Sequence, residues 1–237
     1  MKIWQGLSSR SALLVHGVTS SADGWWRLGP DLVTAGFGRV VAPDLPGHGG
    51  TPETDDWSLE AVADQLMDES ATKWDMLLGH SWGGSLVLVA HVRHPQLANR
   101  LVLEDPALII PDIEAAKEWA GSSFDNISEE AAAAREPSWH PTDVKLKVEA
   151  LTQTTREVVD AVFDGNDPWN LLALIEQISV PTLVIGAERE ALVPPDLGAE
   201  LERLNSLVQF VQIPNSSHSI HRDEYAPMLD AIVRFVQ

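Results

Sequence analysis

The chain has 237 residues, and its 16 lysines and arginines face 35 aspartates and glutamates, a formal net charge of −19. So acidic a balance argues against nucleic acid or an anionic membrane as partner, because little is present to neutralise phosphates. The absence of cysteine excludes disulfides, thiol catalysis and thiolate zinc sites.

The start of the chain, Met1-Lys2-Ile3-Trp4-Gln5-Gly6, lacks the apolar stretch of a signal peptide. No apolar run approaches the roughly 18 residues of a membrane span, so a cytoplasmic protein is expected. At most one short strand fits residues 1–11. Residues 11–16 read as a buried strand ended by Gly17, with a polar loop after it. Trp25, Leu28, Leu32 and Ala35 recur at helical spacing up to Gly36. Residues 39–43 form a second strand and lead into the turn-rich Asp44-Leu45-Pro46-Gly47-His48-Gly49-Gly50. Ser58 caps a helix marked by Leu59, Val62, Ala63 and Leu66. A short apolar strand, 76–78, precedes a helix over 85–94 that stops before Pro95, and 100–104 is the next strand.

The strand after that comes only at 181–185. A βαβ crossover needs about 30 residues, far fewer than this interval. The spacing predicts a helical cap over 110–170, broken by Pro111, Pro137, Pro141 and Pro168, inserted between core segments 1–109 and 171–237. A helix over 194–204, a strand over 209–213 and a helix over 225–236 complete the chain. Alternating strands and helices imply an α/β fold: a mostly parallel sheet of about six to seven strands with helices on both faces, binding ligands at the carboxyl strand ends.

Between the strand at 76–78 and its helix stands Gly79-His80-Ser81-Trp82-Gly83, which fits G-x-S-x-G. A strand that turns directly into a helix forces the turn residue into strained backbone geometry and lifts its side chain above the sheet edge. Glycines two before and two after let neighbouring backbone pass. Amides and the helix dipole then favour negative charge developing beside the serine. Ser81 is therefore the candidate nucleophile.

Four segments in order make the chain resemble the α/β-hydrolases of the capped, single-domain kind. His16-Gly17-Val18 resembles the H-G-x oxyanion loop, Asp44 to Gly49 the D-x-x-G-x-G loop, Gly79 to Gly83 the nucleophile elbow, and Ser217-His218-Ser219-Ile220-His221 the catalytic histidine loop. The resemblance covers essentially all of the chain outside the cap and is specific for fold and reaction class, but not for substrate.

It implies His218 as the base that activates Ser81, since a serine hydroxyl needs one within hydrogen-bond reach. His16 and His80 take the roles of motif histidines that brace loops, and His221 falls at the start of a helix. For the acid that orients His218, the family offers two places. Glu190 follows the strand at 181–185. Glu104 ends the strand after the nucleophile helix, where a buried carboxylate needs a reason. Glu190 sits in a charged, solvated turn, which favours Glu104, while Asp105 before Pro106 reads as a turn closer. The amides of Val18 and Trp82 would bind the oxyanion. Trp25, Trp26, Trp139 and Trp169 are candidate pocket walls.

The expected activity is hydrolysis of a carboxylic ester or lactone of an uncharged, apolar or aromatic small molecule through an acyl-enzyme. Competing readings are an amidase, carbamate or C–C hydrolase using the same triad, and a non-catalytic receptor on the same fold. No metal-ligand spacing or phosphate loop is seen, so no cofactor is expected. The oligomeric state is left open.

Overall fold

A computed structural model describes residues 1–70 and 73–237. Strands β1 (Lys2–Gln5), β2 (Ser11–Val15), β3 (Arg39–Ala42), β4 (Met76–His80) and β5 (Leu101–Glu104) belong to one seven-stranded sheet. A short ribbon follows, β6 (Ile109–Ile110) paired with β7 (Trp169–Asn170). Strands β8 (Thr182–Gly186) and β9 (Val208–Gln212) complete the large sheet, whose order is β1-β3-β2-β4-β5-β8-β9. Within that sheet, among the described residues, only the β1–β3 pair is antiparallel.

The central strands are buried along their whole length, as continuous apolar runs require when both faces are covered. Alternation then divides them. Leu13, Val15, Leu77, Leu101 and Leu103 point to one face. There they meet helices α2 (Leu59–Ser70) and α3 (Trp82–Arg93). Ala12, Leu14, Met76, Leu78 and Val102 point to the other, against α1 (Leu28–Thr34) and the C-terminal helix Tyr225–Val236. The expected helix over 25–35 is split. Its first turn, Ala22–Trp25, is a 3₁₀ turn, and α1 begins only at Leu28.

Between β5 and β8 run α4 (Ile113–Gly121), α5 (Glu129–Arg135), α6 (Pro141–Leu151), α7 (Arg156–Asp164) and the short α8 (Leu172–Ile175). Asp112, Ser128 and Thr155 each accept a hydrogen bond from the first turn of α4, α5 and α7, so the starts of these three helices are written locally. Then follow α9 (Pro195–Leu204), α10 (Ile220–Asp223) and α11 (Tyr225–Val236). Among the described residues no helix is long and apolar enough to cross a membrane.

From β2 the chain steps outward to β3, then returns to place β4 on the other side of β2. The strand order therefore reverses between β2 and β4, where crossovers diverge and leave a crevice at the carboxyl ends. Residues 16–18 leave β2 on one side of that crevice, and Ser81 leaves β4 on the other. The approach is close: a Cβ on Gly83 would lie 2.3 Å from the Val15 carbonyl oxygen, and one on Gly79 would lie 2.1 Å from the Gly83 carbonyl oxygen. Both obstacles are backbone and cannot swing aside. Gly83→Ala is therefore expected to lower unfolding stability by roughly 1–3 kcal/mol or more through overpacking. Urea denaturation measures this, and an unchanged midpoint would contradict the close approach.

Candidate active site

Ser81 has φ 55° and ψ −122°, a left-handed conformation rare for a residue with a Cβ. Two long-range bonds hold it there. Its amide donates to the Glu104 carbonyl at 3.0 Å, and its carbonyl accepts from the Ala107 amide at 3.2 Å. Trp82 begins α3, so its amide is one of the first-turn donors that have no acceptor inside the helix.

His218 arrives from the loop after β9, and its Nδ1 lies 2.6 Å from Asp105 Oδ2. With Nδ1–H donating to the carboxylate, Nε2 keeps its lone pair for a proton. Asp105 is fully buried. It also accepts from the amides of Leu192 and Val193 at 3.1 and 3.0 Å. Three donors thus compensate its charge. The expected pairing of His218 with Glu104 is corrected here, and Glu190 does not supply the alternative. The reason is backbone geometry: the chain leaves β5 at Asp105 with φ 38°, a turn that directs this carboxylate, one residue beyond Glu104, toward His218. Glu190, also at positive φ, lies on the cavity wall.

Glu104 serves a neighbouring group. Its Oε1 accepts from both the amide and Nδ1 of His221, each at 2.8 Å, while its buried Oε2 has no partner. Burial pushes the Glu104 carboxyl up, against the pull of His80. Burial likewise drives His80 and His221 well below the usual imidazole range. His80 Nε2 bonds the His218 carbonyl at 2.8 Å, so the Glu104–His221 pair and His80 brace the loop that carries His218. His80, Glu104 and His221 have ligand atoms within 4.8 Å of one another and are the residues that could hold a metal ion. The bonds just described already engage one nitrogen of each imidazole.

Among the described residues, Ser81 Oγ and the His218 ring share no hydrogen bond, yet both face one cavity of about 330 Å³. A second cavity, of about 370 Å³, meets the first at Ser81 and Val18. The two differ in character. The second is apolar, walled by Ile109, Ile110, Ala116, Phe163, Trp169 and Leu192. The first carries Arg135, Lys147, Arg189 and Arg222 with Glu136 and Glu190.

Of the four expected pocket tryptophans, Trp139 lines the polar lobe and Trp169 the apolar one. Trp25 instead packs in the core on the α1 face, and Trp26 binds Asp143 through Nε1 at 2.9 Å; neither lines a lobe. Trp119 was missed. It lines both lobes, and its ring meets the His218 ring edge-on at 5.4 Å between centroids. Its row on α4, with Ala115 and Ala116 also on the apolar wall, was the available signal.

The model of the alpha/beta hydrolase family matches residues 12–231. The chain belongs to that family. It is 24% identical to the sn-1-specific diacylglycerol lipase of Mus musculus, over 94% of this chain and 80% of that one. Identity to the pimeloyl-[acyl-carrier protein] methyl ester esterase of Aromatoleum aromaticum is 31%, over 84% of this chain and 76% of the relative. Among solved structures, the enol-lactonase of Burkholderia xenovorans LB400 superposes with a TM-score of 0.81 at 20% identity, covering 99% of this chain and 95% of that one. The two sequence relatives are named as a lipase and an esterase, and the enol-lactonase shares the fold.

Two outcomes are expected. Asp105→Asn, which keeps the shape and tolerates positive φ, should lower kcat/KM by about 10²–10⁴-fold, because the amide cannot hold the imidazole tautomer or its positive charge. Glu104→Gln should stay within about tenfold of wild type, since its groups bond His221 rather than His218. The reverse ranking in steady-state ester kinetics would overturn the pairing.

A third outcome concerns acid. Burial lowers His16 to about 4 and His48 to about 3. In the unfolded chain both titrate near the ordinary ~6.5. As pH falls below that value the unfolded state takes up protons first. Stability contributed by the neutral imidazoles is then lost progressively down to about pH 3. Urea midpoints should fall between pH 7 and 4, and less steeply in His48→Gln; parallel curves for the two proteins would contradict this.

Proposed function

We propose that this hydrolase cleaves a carboxylic ester or lactone of a small molecule by way of an acyl-enzyme on Ser81. The observation that carries the reading is the joint one: Ser81 at positive φ on a strand-to-helix turn, sharing a cavity with a histidine whose Nδ1 is tied to a buried, fully compensated aspartate. The ester and lipase names of the relatives support the substrate class.

Ser81 Oγ attacks the acyl carbonyl while His218 Nε2 takes its proton. This step requires Ser81 Oγ to come within hydrogen-bond reach of His218 Nε2 in the substrate complex. Asp105 stabilises the imidazolium that forms. The oxyanion is received by the amides of Trp82 and Val18, one at the start of α3 and the other on the loop after β2. His218 then gives its proton to the leaving oxygen. Water, deprotonated by the same imidazole, releases the acid and restores Ser81. Residues 110–170 act as the cap, with Trp119 of α4 over the reacting atoms and the two lobes dividing the acyl part from the leaving group.

A fluorophosphonate probe tests the reading. Stoichiometric labelling that is lost in Ser81→Ala, together with turnover of p-nitrophenyl esters by the wild type, is expected. Labelling without turnover on any ester of a broad panel favours a ligand receptor and overturns the enzyme reading.

A further inference from the structure

Lys147, half-buried, and Arg222, buried, are cations with no carboxylate in ion-pair contact among the described residues. Lys147 Nζ donates to the carbonyl and hydroxyl of Thr19 at 3.0 and 2.6 Å, both neutral acceptors. Arg222 is 5% exposed and donates to Ser20 Oγ at 3.1 Å, while its buried Nε has no partner. Among the described residues no ion pair within 4.0 Å involves either side chain.

Of the nearby acids, Glu104 and Glu136 act on Arg222, and Glu136 on Lys147, without ion-pair contact, and the other two are engaged elsewhere. Asp143 binds Trp26 and Arg27. Asp223 accepts from Ser138, Trp139 and Ser217. Burying a charge without a counter-charge is costly. A fold that keeps two such groups on one cavity wall has left room for something that compensates them.

Their location narrows what that is. Thr19 and Ser20 directly follow Val18, which with Ser81, Trp119 and Glu190 lines both lobes. Lys147 and Arg222 therefore stand behind the loop next to the reacting carbonyl, and the Arg222 guanidinium is fixed over the Trp139 ring at 4.6 Å. The lobe's walls carry four cations, Arg135, Lys147, Arg189 and Arg222, against two carboxylates, Glu136 and Glu190. The surplus of two positive charges suits a small carboxylate-bearing group better than a polyanion. Burial, reinforced by Arg222 and Arg135, presses the Lys147 ammonium well below its ordinary range, and an anion beside it would reverse that pressure.

We propose that the polar lobe is a carboxylate subsite, so that the substrate is an ester bearing a free carboxylate a few bonds from the scissile carbonyl and an apolar group for the other lobe. This rests on the ester-hydrolase reading of Ser81 and revises the expectation of an uncharged substrate. Of the 16 lysines and arginines in the whole chain, the fold gathers four at this one site.

The test compares mono-4-nitrophenyl glutarate with the neutral 4-nitrophenyl pentanoate. The wild type should favour the carboxylate ester in kcat/KM by at least about tenfold, the scale of hydrogen bonds to charged groups. That ratio should fall to about one in Lys147→Met and in Arg222→Met. Because either variant could fail to fold, a second arm uses the wild type alone: glutarate should protect Ser81 from fluorophosphonate labelling, and glutaramide should not. Hydrolysis of both esters with equal efficiency, or equal protection by glutarate and glutaramide, overturns the subsite and leaves the hydrolase reading intact. Absence of labelling and of turnover on both esters overturns the two together.

Discussion

The active centre depends on how closely two pieces of backbone pass. The carbonyls at the end of β2 lie against the first turn of α3, with space only for hydrogen at Gly83, and Gly79 of β4 in turn has space only for hydrogen against the backbone of Gly83 and Gly84. That contact keeps β4 and α3 joined by a single residue. Ser81 takes up the bend and accepts left-handed φ. The strain is held by surrounding structure: the Ser81 amide and carbonyl are anchored to the chain around β5, the same segment that supplies Asp105. Ser81 and Asp105 are thus positioned by one shared set of backbone bonds, and only His218 has to be brought in from elsewhere.

Adjacent carboxylates at the end of β5 divide the work of holding that histidine. Asp105 lies at the turn, meets three donors and points at His218. Glu104, one residue earlier, ties down His221 at the start of α10. A buried carboxylate is tolerated in proportion to the donors it meets. Asp105 has donors on both oxygens, whereas Glu104 leaves Oε2 unpartnered and is pushed toward its neutral form. The distribution of donors, more than chain position, separates the two roles.

Much of this was legible in the sequence. The mostly parallel sheet of about six to seven strands follows from apolar runs with turn residues at their ends, and the G-x-S-x-G segment announces its own geometry because so few residues satisfy it. His218 is legible for the same reason, as a motif between the last strand and the last helix. What failed was the choice among carboxylates. Sequence spacing says that Glu104 ends a strand, but not that the next residue turns at φ 38° and collects the amides of Leu192 and Val193, 87 and 88 positions away. The pocket was hidden likewise. Trp25 and Trp26 occupy a 3₁₀ turn and its end rather than a wall, Trp119 is drawn over His218 by the packing of α4, and the cations of one lobe come from α5, α6, α10 and the loop after β8. These are tertiary facts, carried by contacts between residues far apart in the chain.

The central claim is that Ser81, His218 and the amides of Val18 and Trp82 converge on one reacting atom. The most direct measurement is a crystal structure of the protein after reaction with a phosphonate ester. The account predicts phosphorus bonded to Ser81 Oγ, its free oxygen within about 2.7–3.1 Å of both amide nitrogens, and His218 Nε2 within hydrogen-bond reach of the serine oxygen. An adduct on another residue, or one on Ser81 whose oxygen meets neither amide, would contradict it.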